Sequence, residues 1–216
     1  MISAPSVISA QTPVKKQQLF FQDRSKQKDY KKKNFTSPPG SRDIENFNDR
    51  CTACSLCITR CPSSVLRPAV LQYGMNGIMQ PFLDFNAGYC NYDCTICGEA
   101  CPTGAINRLS VAEKHLIQTG KSVFIKENCI TYTNGTDCGA CSEHCPTKAV
   151  KMVPFKNRLV IPEVNQAICI GCGACEYVCP VRPVKAMYVE GNLIHEKAEL
   201  PKKEKKIEIR KEDFPF

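Results

Sequence analysis

The apolar positions of this chain come in short bursts and not in long periodic runs. Residues 1 to about 40 show no sustained apolar periodicity; they carry Lys15-Lys16, the run Lys31-Lys32-Lys33 and the breaker SPPG at Ser37 to Gly40. This stretch reads as a basic flexible arm or tether over 1–41. Beyond it, four short apolar exits follow Cys-Pro pairs: CPSSVL, CPTGAI, CPTKAV and CPVRPVKAM. Each is expected to lead into a short strand. Val65 to Phe85 reads as a hairpin, with the turn signal Gly74-Met-Asn-Gly77 between two apolar stretches. Ser110-Val-Ala-Glu113 is a capping box that predicts a helix reaching Gly120, followed by a strand through KSVFIK. A last hairpin is predicted at Glu190-Gly191-Asn192, and from Glu196 the Lys- and Glu-rich sequence reads as a solvated tail. No run of about 18 or more apolar residues occurs, so no transmembrane helix is expected within the chain.

Composition changes the picture because it removes the usual core. Trp is absent, aromatics are 8%, and 16 cysteines make up about 7% of the 216 residues. The cysteines fall into four groups of four with none left over, each closing in Cys-Pro. They are Cys51, Cys54, Cys57 and Cys61; Cys90, Cys94, Cys97 and Cys101; Cys129, Cys138, Cys141 and Cys145; and Cys169, Cys172, Cys175 and Cys179. The first and last groups match C-x2-C-x2-C-x3-C-P without a gap, the run used by bacterial ferredoxins for [4Fe–4S] clusters. Three cysteines at that interval wrap a loop around a cubane, and the fourth ligates the neighbouring cluster in two-cluster ferredoxins. Zinc ribbons use paired knuckles and have no need of a third cysteine three residues on. A secreted disulfide framework would not need this regularity. All 16 cysteines are therefore read as ligands of four [4Fe–4S] clusters.

Charge supports that reading. The formal net charge of +8 takes the thiols as neutral. A [4Fe–4S] core of about +2 with four thiolates adds about −2 per site, which brings the whole near zero. The excess of basic residues lies at the N-terminus, where residues 1–50 hold ten Lys or Arg against five Asp or Glu. A basic arm could bind nucleic acid or anionic lipid, but with no aromatic or helical pattern to organise the charges a solvated linker is favoured; contact with a membrane surface is kept as a candidate and nucleic acid is not expected as a partner. The opening MISAPSVISA looks like the end of a signal or membrane segment without its basic start.

The expected fold class is α+β and irregular: two ferredoxin-like lobes of short helices and small antiparallel hairpins around four clusters. The cluster-bearing region is placed at 42–191, with motifs at 51–61, 90–101, 129–145 and 169–179, and 192–216 as a charged tail. No catalytic residue is expected. Four thiolates per cluster leave no iron open to a substrate, and no dinucleotide fingerprint follows a strand. His115, His144 and His195 are scattered without carboxylate partners at ligand spacing, although His144, beside Cys145, could tune a cluster by hydrogen bonding. An electron carrier is favoured over an iron–sulfur redox sensor or maturation factor, which would be expected to have one labile cluster and an output module.

From Ser37 to Glu196 the chain resembles the NapG/MauM-type ferredoxins. The resemblance rests on SPPGS before the first motif, VLRPAV after it, CGEACPTGAI, the stretched KENCITYTNGTDCGACSEHCP and the closing ICIGCGACEYVCPV. It implies four-cluster accessory carriers that pass electrons from a membrane-bound quinol-oxidising iron–sulfur protein to a terminal reductase. Members of that family carry a twin-arginine export signal, and no Arg-Arg pair occurs here. The resemblance implies the periplasmic face of the membrane; the missing signal fits either the C-terminal part of a longer protein whose N-terminal portion is a membrane domain, or a complete chain that is cytoplasmic. The stretched inner motifs also resemble the electron-transfer subunits of molybdenum oxidoreductases. That likeness implies that motif one shares clusters with motif four, and motif two with motif three: Cys179 would join Cys51, Cys54 and Cys57, and Cys61 would join Cys169, Cys172 and Cys175. Sequential pairing, one with two and three with four, is the alternative.

Overall fold

A computed structural model of the protein describes residues 20–200. Its elements are short, as the scattered apolar bursts require, and none of its helices is long and apolar enough to cross a membrane. In chain order they are β1 (Phe20–Phe21), α1 (Ile44–Arg50), α2 (Leu56–Thr59), β2 (Leu66–Pro68), β3 (Pro81–Leu83), α3 (Ile96–Ala100), α4 (Val111–Lys114), β4 (Ile117–Phe124), α5 (Ile130–Asn134), α6 (Ala140–Glu143), β5 (Val150–Pro154), β6 (Val160–Val164), α7 (Ala174–Val178), β7 (Val181–Arg182) and β8 (Met187–Lys197). Mixed short helices and small, mostly antiparallel ribbons make this an α+β protein. The ribbons are β2–β3, β4–β8 and β5–β6, all antiparallel, and the parallel pair β1–β7.

The Cys-Pro exits form much of the apolar interior: Val65 and Leu66, Ala105 and Ile106, Ala149 and Val150, and Ala186 and Met187 are all buried. Three of the four lead into strands, β2, β5 and β8. The exit after motif two does not, because Asn107 turns aside to bond the Gly40 carbonyl through both its backbone N–H and its side chain. The Val65–Phe85 hairpin is present, with Leu66 opposite Leu83 and Pro68 opposite Pro81.

Several boundaries differ from expectation. The capping box is formed, with Ser110 accepting from the Glu113 N–H and the Glu113 carboxylate accepting from the Ser110 N–H. The helix it opens is only Val111–Lys114, and β4 begins at Ile117, since this segment gains a full partner strand in β8. The predicted turn at Glu190 to Asn192 is absent. β8 runs straight through it, and Gly191 serves close approach, because a Cβ there would lie 2.4 Å from the Phe35 carbonyl oxygen. Strand pairing also carries the chain past the expected tail boundary at 192, and Ala198 is buried with its N–H on the Leu116 carbonyl.

The larger correction concerns the arm. From residue 20 onward the expected tether is packed against the body, because its polar groups find partners there. Thr36, Ser37 and Ser41 are buried. Gln27 donates to the Val184 carbonyl, Lys28 and Asn128 exchange two hydrogen bonds, and Glu190 accepts from both the Tyr30 hydroxyl and the Asn34 N–H. Lys32 does not face solvent like its neighbours Lys31 and Lys33. Its ammonium lies 2.7 Å from the Glu176 carboxylate and 5.0 Å from the centre of the Phe85 ring. Lys15, Lys16 and the opening ten residues lie outside the described residues.

Glu176 is 2% exposed and also accepts the Val189 N–H, so its charge is held between one cation and one amide. Lys32→Met should cost about 3 kcal/mol, read as a fall in Tm, because a buried carboxylate loses its cation. The double variant Lys32→Met/Glu176→Gln should recover most of that loss.

His195 gives a pH signature. Burial holds its ring down to about 4, against a weaker upward pull from Asp43. The unfolded chain therefore binds a proton between about pH 6.5 and 4 that the folded one refuses, and stability present above pH 6.5 is lost as pH falls through that window. The expected loss is on the order of 3 kcal/mol. Urea midpoints at pH 7.5 and 4.5 should diverge less in His195→Gln than in the parent.

Candidate iron–sulfur site

Each cysteine motif is built from a loop, one helical turn and the Cys-Pro exit. In motifs one and four the loops share a backbone path. The second and fourth residues after the first cysteine have positive φ in both, at Ala53 (52°) and Ser55 (62°) and at Gly171 (74°) and Gly173 (80°). Motif four needs glycine here for space as well, since a Cβ on Gly171 would lie 2.5 Å from the backbone of Gly120. The third cysteine then lies on a one-turn helix: Cys57 on α2, Cys97 on α3, Cys141 on α6 and Cys175 on α7.

The four motifs meet in sequence order, and the outer-with-outer expectation is corrected. Helix α2 packs on α3, and α6 on α7. Cys61 lines one hollow with Cys90, Cys94 and Cys97, walled by Val65, Leu66, Leu83 and Ile96. Cys179 lines another with Cys129, Cys138 and Cys141, walled by Phe124, Ile130 and Met187. Burial pushes Cys57 up to about 12, and the thiols close enough to add to this are Cys51, Cys101 and Cys54. Burial raises Cys172 strongly, opposed by an N–H from Ala174 and reinforced by Cys175, Cys169 and Cys145. Each motif thus keeps its first three cysteines together and sends its fourth to its neighbour. The exits of motifs one and four help seal the neighbouring hollows, Val65 and Leu66 beside Cys90, Cys94 and Cys97, and Ala186 and Met187 beside Cys129, Cys138 and Cys141.

The third cysteines bring the sets of each pair side by side. Burial lifts Cys97 to about 12 with help from Cys90 and Cys57, and lifts Cys141 with help first from Cys175. Thiols this deep and this crowded ionise only with a cationic centre among them, which an iron–sulfur core supplies. All 16 cysteines are free thiols. Among the described residues no three His, Cys, Asp or Glu side chains converge tightly enough for a single metal ion. Four thiols spread round an apolar hollow are the donor set of a cubane.

The fourth cysteines receive hydrogen bonds that the motif spacing does not reveal. The N–H groups of Ile106 and Ala186 lie 3.4 Å from the sulfurs of Cys101 and Cys179. The hydroxyls of Ser63, Thr103 and Thr147 lie 3.6, 3.6 and 3.7 Å from Cys61, Cys101 and Cys145. For Cys101 burial pushes upward, yet the Ile106 N–H, the Thr103 hydroxyl and neighbouring amides together hold it below its ordinary value. A signal was present, since three of the four exits read Cys-Pro-Ser or Cys-Pro-Thr. Motif four has valine there, and the Ser122 hydroxyl instead lies 3.2 Å from its third cysteine, Cys175.

The histidines stand apart from the sulfurs. His144 is exposed, its ring bonded to the Ala140 carbonyl. His115 does have a carboxylate partner, Asp93 at 2.9 Å, and stacks on Tyr92.

Swapped fourth ligands make a specific prediction. Cys61→Ser should remove the same spectroscopic cluster as Cys97→Ser, and Cys101→Ser the same one as Cys54→Ser. Iron content and the electron paramagnetic resonance spectra of the reduced variants check this.

Comparison with known proteins agrees with the geometry. Residues 134–182 match the 4Fe-4S dicluster domain, a span that takes in motif four and all of motif three but its first cysteine. The chain is 33% identical over 142 residues to the methylamine utilization ferredoxin-type protein MauM of Methylorubrum extorquens, covering 62% of this chain and 63% of that protein. It is 33% identical over 141 residues to MauM of Methylobacillus flagellatus, covering 62% and 59%. The chain thus spans about three fifths of the length of these curated relatives. With its cysteine motifs paired as a dicluster protein requires, the chain is similar to the MauM ferredoxin-type proteins, and this likeness together with the 4Fe-4S match supports an iron–sulfur electron carrier.

Proposed function

We propose that the protein is a polyferredoxin that holds four [4Fe–4S] clusters and relays electrons from a membrane-bound quinol-oxidising iron–sulfur protein to a terminal oxidoreductase. The observation that carries this reading is the exchange of fourth cysteines, Cys61 for Cys101 and Cys145 for Cys179, which uses every cysteine and leaves none spare. On this reading motifs one and two make one ferredoxin-like lobe and motifs three and four the other, and the chain has no substrate site of its own. When bound, such clusters supply reversible one-electron exchange.

The side chains do the rest. Thiolates hold the cores, the exit amides and hydroxyls stabilise charge on the fourth sulfurs, and the apolar walls keep water away; these are the levers that set potential. The sets also form a row. Cys57 adjoins Cys97, the Cys90 N–H donates to the Cys172 carbonyl at 2.9 Å, and Cys175 adjoins Cys141. The row therefore ends at the set of Cys51, Cys54, Cys57 and Cys101 and at the set of Cys129, Cys138, Cys141 and Cys179. Cys54 is exposed at the first end, which suits exchange with a partner. The ferredoxin-type role of the two relatives supports the carrier function, and the donor, the acceptor and a contact of Lys15, Lys16, Lys31 and Lys33 with anionic headgroups belong to the proposal.

Anaerobic preparations should contain about 16 iron and about 16 acid-labile sulfide per chain. Reduction should give spectra broadened by coupling between adjacent clusters. A folded protein with zinc and no sulfide would overturn the reading.

A further inference from the structure

One cation in the interior lies among the motif cysteines. Lys114 ends the one-turn helix α4, is 4% exposed, and donates to the carbonyls of Asn91 and, at 2.5 Å, Cys94. Its positive charge opposes the upward push that burial gives the Cys90 and Cys97 thiols. It lies in the hollow shared by Cys90, Asn91, Tyr92 and Cys172, which is the crossing between motifs two and four. The capping box at Ser110 and Glu113 anchors the single turn that delivers it.

The other three sets are served differently. Among the described residues no lysine or arginine side chain hydrogen-bonds Cys51, Cys54, Cys57 or Cys101. Beside Cys145, Cys169, Cys172 and Cys175, the half-exposed Lys121 is opposed by Glu176. At Cys179 the Arg182 guanidinium donates to the carbonyls of Cys179 and Val181 from a part-buried position, and Lys185 spends its bond on the Phe85 carbonyl with Glu176 nearby. Among the described residues, Lys114 is the one buried lysine whose ammonium donates to the backbone of a cysteine motif.

We propose that Lys114 makes the cluster held by Cys61, Cys90, Cys94 and Cys97 the highest-potential station of the chain, so that electrons collect at the crossing between the two pairs. This rests on the four-cluster reading. A [4Fe–4S] core with four thiolates carries about −2, and taking one electron makes it about −3. The donor is the adjacent reduced cluster, which returns from about −3 to about −2, and no proton or bond is exchanged. A fixed positive charge beside the thiols favours the more negative state, and burial keeps water from screening it. Lys114 is a positioning charge: it shifts the equilibrium without entering the transfer. Asp93, the nearby carboxylate, is largely exposed and paired with His115, so it offsets little of that field.

The test is a redox titration of the iron-loaded full chain followed by electron paramagnetic resonance, with iron and sulfide measured on each sample. Full iron in the parent settles the four-cluster reading independently. Lys114→Met should then lower one midpoint by a factor of about ten in the reduction equilibrium, about 59 mV for one electron, and leave the other three in place. Lys114→Arg should restore most of it. A second variant guards against loss of the cluster in Lys114→Met: Cys97→Ser should delete or shift the highest-potential signal, and Cys54→Ser should leave it. An unchanged midpoint in fully loaded Lys114→Met, or a highest-potential signal that survives Cys97→Ser, overturns the proposal.

Discussion

The structure depends on the crossing of four thiols. Cys61 and Cys101 pass each other between the first two motifs, and Cys145 and Cys179 do the same between the last two. A chain without Trp, with strands of two to eleven residues and helices of four to seven, has little else to define its interior. The exchanged ligands tie each motif to its partner, and the apolar exits behind them, from Val65–Leu66 to Ala186–Met187, seal the hollows. Cluster binding and folding free energy are then the same quantity, since neither half of a pair has a complete ligand set alone.

Around that crossing the long segments act as straps. Residues 20–41 lie along β7 and β8, returning polar bonds at Gln27, Lys28, Tyr30 and Asn34 and bringing Lys32 onto Glu176. β4 and β8 form the longest ribbon, and the loop of motif four presses against it at Gly120. The bond from the Cys90 N–H to the Cys172 carbonyl joins the two pairs directly, so the arrangement that stabilises the fold also places the four sets in a row. On the proposed function, stability and electron path would share the same contacts.

What was legible in the sequence follows from where the information is local. Cysteine spacing is local, so the four cysteine groups, the exits, the Val65–Phe85 hairpin and the Ser110–Glu113 cap could be read directly. Partner choice is not local. Motifs one and four have the same spacing and even the same left-handed loop positions, yet each pairs with a stretched neighbour, because α2 packs on α3 and α6 on α7. Residues 20–41 looked like a tether because their composition is polar; their partners lie more than 140 residues away for Lys32, Tyr30 and Asn34. Gly191 suggested a turn where the structure uses it to let two backbones pass. Lys114 had no signal of its own beyond the cap that precedes it.

Location of the irons by anomalous diffraction at the iron edge, from crystals grown without oxygen, tests the central claim most directly. The account predicts four cubanes, with Cys101 Sγ on the core held by Cys51, Cys54 and Cys57, Cys61 Sγ on the core held by Cys90, Cys94 and Cys97, and Cys145 and Cys179 exchanged in the same way. Iron peaks placing Cys61 with Cys169, Cys172 and Cys175, or single metal ions in place of cubanes, would contradict it.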